Sequence, residues 1–384
     1  MNTGNLYRLA VMGLALFFIV NPCLAQRAAS AEDELAAIMA RHQAIGLSVA
    51  VVKGGDIIYS HSFGWKDRER SEPLRAGDVF RIASISKSFV ATGIMQLVDA
   101  GKLSLDDDVS HLIGFRVRNP AYPDSVITLR MILSHRSSIS DKNGYFTLDA
   151  LNPEKDAGWA KAYNDYAPGT DYQYCNLNFN LAGAILEKHS GQRFDRYIQR
   201  HILEPLGLYG GYNVDALDST RFATLYTYDS KTDRFTPSPA AYQSRAEALK
   251  AYTPGYSTPL FSPTGGMKMP VNDLARYMIM HMHYGQAQGV RILSEESSRA
   301  MQTALTPKSG YGLALRTLNN LIRGKALTGH EGVAYGLYSA MYFQPDEQFG
   351  IVAITNGCNT GFTDDVINDF LHAVYNCLYR NFLL

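Results

Sequence analysis

The sequence has no excess of either charge, and little cysteine or tryptophan. Lysine plus arginine and aspartate plus glutamate stand at 36 each, so the balance makes no electrostatic case for nucleic acid, which needs a basic face, and no such partner is expected. Four cysteines are spread over 384 residues. Setting aside Cys23 near the N-terminus, the odd set Cys175, Cys358 and Cys377 is no disulfide framework, although one pair could bridge. No Cys/His spacing suits zinc. His330-Glu331 begins like H-E-x-x-H, but Ala334 stands where the second histidine would be. That excludes a metalloprotease and leaves no metal or cofactor expected. Internal repeats, low-complexity tracts and long apolar runs beyond the N-terminal segment are absent, so the mature chain is expected to have no membrane span.

Apolar residues make up 46% of the chain, and tyrosines number 24. The length supports a large core, and tyrosine, with an apolar body and a hydroxyl, suits clefts as well as cores. The first residues read as an export signal. Arg8 supplies positive charge, Leu9 to Val20 is purely apolar, and Cys23-Leu24-Ala25 before Gln26 resembles a cleavage site. Residues 1–25 are therefore read as a signal peptide, with a periplasmic or secreted product. Cys23 offers a lipoprotein alternative, disfavoured because "VNPC" lacks the small residues expected before a lipidated cysteine.

Periodicity organises the remainder. Ser30 to Ala44 reads as a short amphipathic helix, with Leu35, Ile38 and Met39 on one side. Leu47 to Val52 and Ile57 to Phe63 read as a hairpin across Lys53-Gly54-Gly55-Asp56. Ile85 to Ala100 is an apolar helix, capped by Gly101 and expected to be buried between layers. "LRMILSHRSSI", "NLNFNLAGAILEKHSG" and Asp273 to Tyr284 are helical, whereas Tyr209 to Phe261 is irregular. Strand patterns return in "YGLALRTL", "KALTGHEG", "GLYSAMYF" and "FGIVAITN", before a closing helix from Asp364 to Leu378. Strands at both ends and helices between them predict an α+β fold. Its antiparallel sheet is built from both chain ends and flanked by helices. Residues 26–85 and 262–384 would form the α/β part, and 86–261 an inserted all-α region.

Ser84 lies three residues before Lys87, at the predicted start of a helix. An S-x-x-K spacing alone fits a capping serine and a solvated lysine. Further on, "DYQYCNLNFNLAG" places Tyr174 two residues before Asn176, and "TGHEG" places His330 two before Gly332, with "LSHRSSI" and "SGYGLAL" flanking them. In this order the set resembles the serine β-lactamase and penicillin-binding family, in the branch of class C β-lactamases, DD-peptidases and related esterases. The resemblance covers nearly the whole mature chain, so residues 26–384 are expected to form a serine hydrolase domain.

A serine hydroxyl needs a base to become a nucleophile. Lys87 lies one helical turn from Ser84 and on its face. Lysine and tyrosine have ordinary pKa values near ~10.4 and ~10, so either needs its site to lower it, and the choice between Lys87 and Tyr174 stays open. Ser84 at a helix N-terminus offers its own N–H to an oxyanion. The resemblance implies the Val333 N–H as second donor and Asn176 as a substrate-binding partner. Gly332 is expected to leave room for substrate. His330 takes the position of the K-T-G lysine, with positive charge only when protonated. Glu331 replaces the threonine that would bind a carboxylate, and strand alternation is expected to turn it away from His330. The S-D-N and deacylating glutamate of class A enzymes are not evident. The expectation is an acyl-enzyme hydrolase of small-molecule or peptide substrates, cell-wall derived among them. A D-amino-acid peptidase, a DD-carboxypeptidase-like enzyme or an esterase fits better than a β-lactamase, and a penicillin-binding sensor without turnover is the non-catalytic alternative. His135, His281 and His283 read as structural, and Asp106-Asp107-Asp108 as a solvated turn.

Overall fold

The computed structural model describes residues 22–306, 309–362 and 367–384. The predicted signal peptide lies outside the described residues over 1–21, as does Asp364, the predicted start of the last helix. The described chain opens with α1 (Pro22–Arg41), earlier and longer than the predicted helix. The hairpin follows as β1 (Gly46–Lys53) and β2 (Asp56–Asp67), with Lys53 opposite Asp56. Gly54 and Gly55 at its turn take φ +62° and +88°, a left-handed pair that only glycine adopts without strain. A two-residue strand, β3 (Glu72–Pro73), closes this edge.

Near the other end come β4 (Arg316–Ile322), β5 (Lys325–Ala334), β6 (Leu337–Gln344) and β7 (Phe349–Thr355). The seven strands form one antiparallel sheet in the order β4-β5-β6-β7-β1-β2-β3. The first and last parts of the chain meet where β1 pairs with β7, Leu47 opposite Thr355 through Lys53 opposite Phe349. Both central strands are buried almost throughout, because helices cover both faces. Leu47, Val49, Val51, Ile351 and Ala353 face a core with Leu35 of α1 and Phe370 and Val374 of the final helix, α5 (Asp369–Phe382). Ala50, Val52, Val352 and Ile354 alternate into the larger core shared with the helical segments.

Three helices matter on that second side: α2 (Ser86–Asp99), α3 (Asn176–Ser190) and α4 (Val271–Met282). Gly101 and Gly191 follow α2 and α3 with φ +66° and +68°, as their positions in the sequence predict. Residue propensity does not make α2, which carries Val90, Thr92, Gly93 and Ile94. Burial does: Phe89, Val90, Ala91 and Ile94 are fully enclosed. Gly93 lets α2 approach α3, since a Cβ there would lie 2.7 Å from Leu186. Gly183 on α3 does the same toward Pro263, at 2.5 Å. Alanine at either position is expected to cost about 1–3 kcal/mol through overpacking.

The middle of the chain departs from the prediction in detail. "LRMILSHRSSI" is helical only over Leu129–Leu133, and the chain then turns through His135 (φ +57°) and Ser138 (φ +63°). Tyr209 to Phe261 consists of short helical turns around a small hairpin, Tyr226–Asp229 with Arg234–Pro237. The acidic triplet is anchored rather than freely solvated. Asp106 pairs with Arg130, and Asp108 pairs with Arg118 while capping the helix Val109–Ile113. Cys175, Cys358 and Cys377 are free and buried. No helix of the described residues is long and apolar enough to cross a membrane.

Candidate active site

Ser84 sits in a 3-10 turn, Ala83–Ile85, that leads directly into α2. The turn is held in a strained shape, with Ala83 at φ +47°. Two hydroxyls support it. Ser86 Oγ donates to the Ala83 carbonyl at 2.5 Å, and Ser339 Oγ of β6 donates to the Ile82 carbonyl at 3.0 Å. Ser84 alone in this stretch is partly exposed, and it faces a cavity of about 830 Å³.

Lys87 is fully buried beneath it. Its Nζ donates to Ser84 Oγ at 3.1 Å, Asn176 Oδ1 at 3.0 Å and the Thr264 carbonyl at 2.8 Å. All three ammonium donors are thereby used. The packing of α2 on α3 and of α3 on Pro263 brings these three partners together. Burial, only partly offset by the negative charge of Asp141, pulls the Lys87 pKa down to about 7.

Tyr174 lies against the same amine, its ring centroid 4.8 Å from Nζ. The neighbouring Ser84 hydroxyl favours its ionised form, yet burial dominates and holds its pKa well above the ordinary phenol value. The ammonium that could favour tyrosinate therefore does not prevail.

Asn176 is the first residue of α3, but its side chain does not cap the helix. Asp141 does so from a distant turn, a role that no local spacing signals. Its carboxylate accepts from the backbone N–H groups of Asn176 and Leu177, both at 2.9 Å, and from Asn176 Nδ2 at 2.9 Å. This fixes the amide so that Oδ1 faces Lys87 Nζ and accepts from Thr264 Oγ1 at 2.8 Å. Asp141 is thus a positioning residue, acting through Asn176.

Gly332 has a packing role beyond the predicted one. A Cβ at Gly332 would lie 2.4 Å from the Ile82 carbonyl and 2.6 Å from Ser339 Oγ. The glycine lets β5 lie against the turn carrying Ser84, and it also lines the cavity. Val333 follows at the cavity wall, 51% exposed.

The structure reverses the expected parts of His330 and Glu331. His330 is 1% exposed and lies behind the cavity. Its Nδ1 donates to the Glu331 carbonyl at 2.5 Å, so its Nε2 accepts from Tyr311 at 3.0 Å. Burial pulls its pKa down to about 4, so it is neutral across the physiological range. Glu331 lines the cavity instead, with Arg316 and Arg81, neither of which the sequence reading singled out. His135 is buried among Tyr172, Tyr174, Phe179 and Tyr311 and accepts from the Cys175 N–H at 3.2 Å, so it is a packing residue. Groups of histidine, cysteine and carboxylate suited to a metal ion are absent among the described residues.

An antiparallel sheet covered by helices on both faces, with a serine, a buried amine, a tyrosine and an asparagine at one cleft, defines the class of the serine β-lactamase fold. The chain belongs to the Beta-lactamase family, whose model matches residues 31–375. It is 27% identical over 361 residues to penicillin-binding protein 4 of Amycolatopsis lactamdurans, covering 88% of each chain. Among solved structures it resembles the octameric penicillin-binding protein homologue from Pyrococcus abyssi, with a TM-score of 0.70 and 27% identity over 91% of this chain and 78% of that one. It also shares the fold of the D-amino acid amidase from Ochrobactrum anthropi SV3, with a TM-score of 0.70 and 20% identity over 92% and 98% of the two chains.

Proposed function

We propose that this protein is an exported serine hydrolase that acylates Ser84 and deacylates with water. Its substrate would be a small molecule or peptide with an amide or ester bond, and D-amino-acid peptidase, DD-carboxypeptidase-like and esterase activities are the leading readings. The observation that carries this is the fully buried Lys87 amine, 3.1 Å from Ser84 Oγ and held near neutrality by its surroundings. Neutral Lys87 takes the Ser84 proton as Oγ adds to the substrate carbonyl. The backbone N–H groups of Ser84 and Val333 are assigned to the oxyanion, the first at the start of α2, where its dipole favours negative charge. As the carbonyl re-forms, the proton held by Lys87 returns to the leaving group by way of Tyr174, a neutral phenol that gives one proton and regains one. Asn176 and Thr264 keep Lys87 in place throughout.

The test is labelling by an activated fluorophosphonate, which Ser84→Ala should abolish; undiminished labelling of that variant overturns the assignment. Time-resolved mass spectrometry then separates an enzyme, whose acyl adduct decays with product, from a penicillin-binding sensor, whose adduct persists. Failure to turn over a chromogenic cephalosporin would exclude a β-lactamase as the principal role.

A further inference from the structure

The cavity beside Ser84 carries an ion pair that the proposed reaction leaves unused. The ladder between β4 and β5 ends where Arg316 pairs with Gly329, so His330 to Ala334 runs on along the cavity beside β6. Glu331 is the sole acidic side chain among the described residues lining that cavity. It and Arg316 are 16% and 14% exposed, with Arg316 Nη1 3.4 Å from Glu331 Oε1. That separation is long for a charge-assisted bond. Tyr342 donates to the other carboxylate oxygen and fixes its direction. A carboxylate has room for about four donors, so Glu331 retains acceptor capacity toward the cavity.

The neighbouring cations are not equally free. Arg316 sends Nη2 to the Ser309 carbonyl at 3.3 Å, so its fork is split between Ser309 and Glu331 and presents no bidentate face. Arg81 spends Nε, Nη1 and Nη2 on Gly265, Ala241 and Ser262, which ties the overlying loop. Arg316 Nε is buried without a hydrogen-bond partner among the described residues and so does not face the cavity, and the carboxylate that does is Glu331. It lies two residues before Val333, on the same strand face.

We propose that Glu331 sets a charge rule for substrates, admitting an arm that carries an amine along the free edge of β5 and refusing one that carries a carboxylate. The rule rests on the serine-hydrolase reading above, and it narrows the substrate class to amides, peptides or esters with a free amine and no carboxylate on that arm.

Two substrate series test it, one varied at each end of the scissile bond. One is a D-phenylalanine anilide with its amine free, acetylated or succinylated. The other is N-acetyl-D-alanyl-D-alanine against its C-terminal amide. In at least one series the carboxylate member should fall about tenfold or more below the neutral one in kcat/KM, as like charges near a partly desolvated wall require. The free amine should lie above its acetylated form. Glu331→Gln keeps an acceptor for Tyr342 and should collapse the spread. Arg316→Gln, which leaves Glu331 unneutralised, should widen it in favour of the amine. Flat series, a spread unchanged in Glu331→Gln, or loss of carboxylate substrates only in Arg316→Gln would overturn the rule. Fluorophosphonate labelling separates the two readings. Wild-type protein that does not label at Ser84 overturns the serine-hydrolase assignment and the rule with it, whereas labelling with flat series overturns the rule alone.

Discussion

Lys87 should set the pH at which the site works. Burial lowers its pKa from 10.5 to about 7, despite three hydrogen-bond acceptors and the opposing pull of Asp141. That interval corresponds to about 5 kcal/mol against the ammonium in the folded chain. For an uncharged ester, kcat/KM should rise about tenfold per pH unit until it levels near pH 7, as Lys87 loses its proton. Lys87→Arg, charged at every accessible pH, should lose about 10²–10⁴-fold and show no such rise. Tyr174→Phe should be slower but keep the rise, because its phenol stays protonated throughout. Stability carries the same signature. The folded pKa lies below the unfolded one, so between about 7 and 10.5 the unfolded chain binds more protons and folding is favoured increasingly with pH. Below about 7 both states are protonated and the full penalty applies. In denaturant melts, the wild type should therefore gain on Lys87→Met by about 4 kcal/mol between pH 7 and 10. Three results would refute the reasoning: a flat activity profile from pH 5 to 8, a rise that vanishes in Tyr174→Phe, or a stability difference that ignores pH.

Gly332→Ala should lower kcat/KM at least about tenfold while circular dichroism stays unchanged, because the added methyl pushes on the Ile82 carbonyl and displaces the Ser84 turn. An active Gly332→Ala enzyme would show that β5 does not position the nucleophile. Asp141→Asn offers one acceptor where the carboxylate serves both backbone N–H groups and the Asn176 amide. The lost cap should cost about 1–2 kcal/mol in a denaturant melt. The lost negative charge should shift the acid rise in kcat/KM below about 7, since Asp141 raises the Lys87 pKa. A shift toward higher pH would contradict that electrostatic role.

The fold was legible wherever one residue pattern served one surface. The run Leu47 to Val52 announced a strand, whose alternate residues the structure sends into two cores, and Gly54-Gly55 announced its turn. The helix read over "LRMILSHRSSI" is longer than the observed one because no glycine or proline after Leu133 signals its end, whereas the backbone turns left-handed at His135 and Ser138. That turn carries Asp141 to the N-terminus of α3, a contact across 35 residues that no local spacing encodes.

The pair His330 and Glu331 shows why residue types alone misassign a wall. Alternation does place them on opposite faces of β5, as expected, but which face meets the cavity depends on what lies against each. Met341 and Ser339, opposite His330 and Gly332, face the packed side, where Ser339 already holds the Ile82 carbonyl. A charged His330 there would need a counter-charge on that side; the neutral ring instead completes a bond to Tyr311. Glu331 shares the other face with Tyr342 and reaches the cavity at the open end of the strand, past the last β4 pair. The cation position of the sequence motif is thus occupied by a buried neutral ring, and the cavity's charge at this wall is set by Glu331 with Arg316. A substrate reaching Ser84 along β5 meets a carboxylate where the motif's residue types predicted an imidazole.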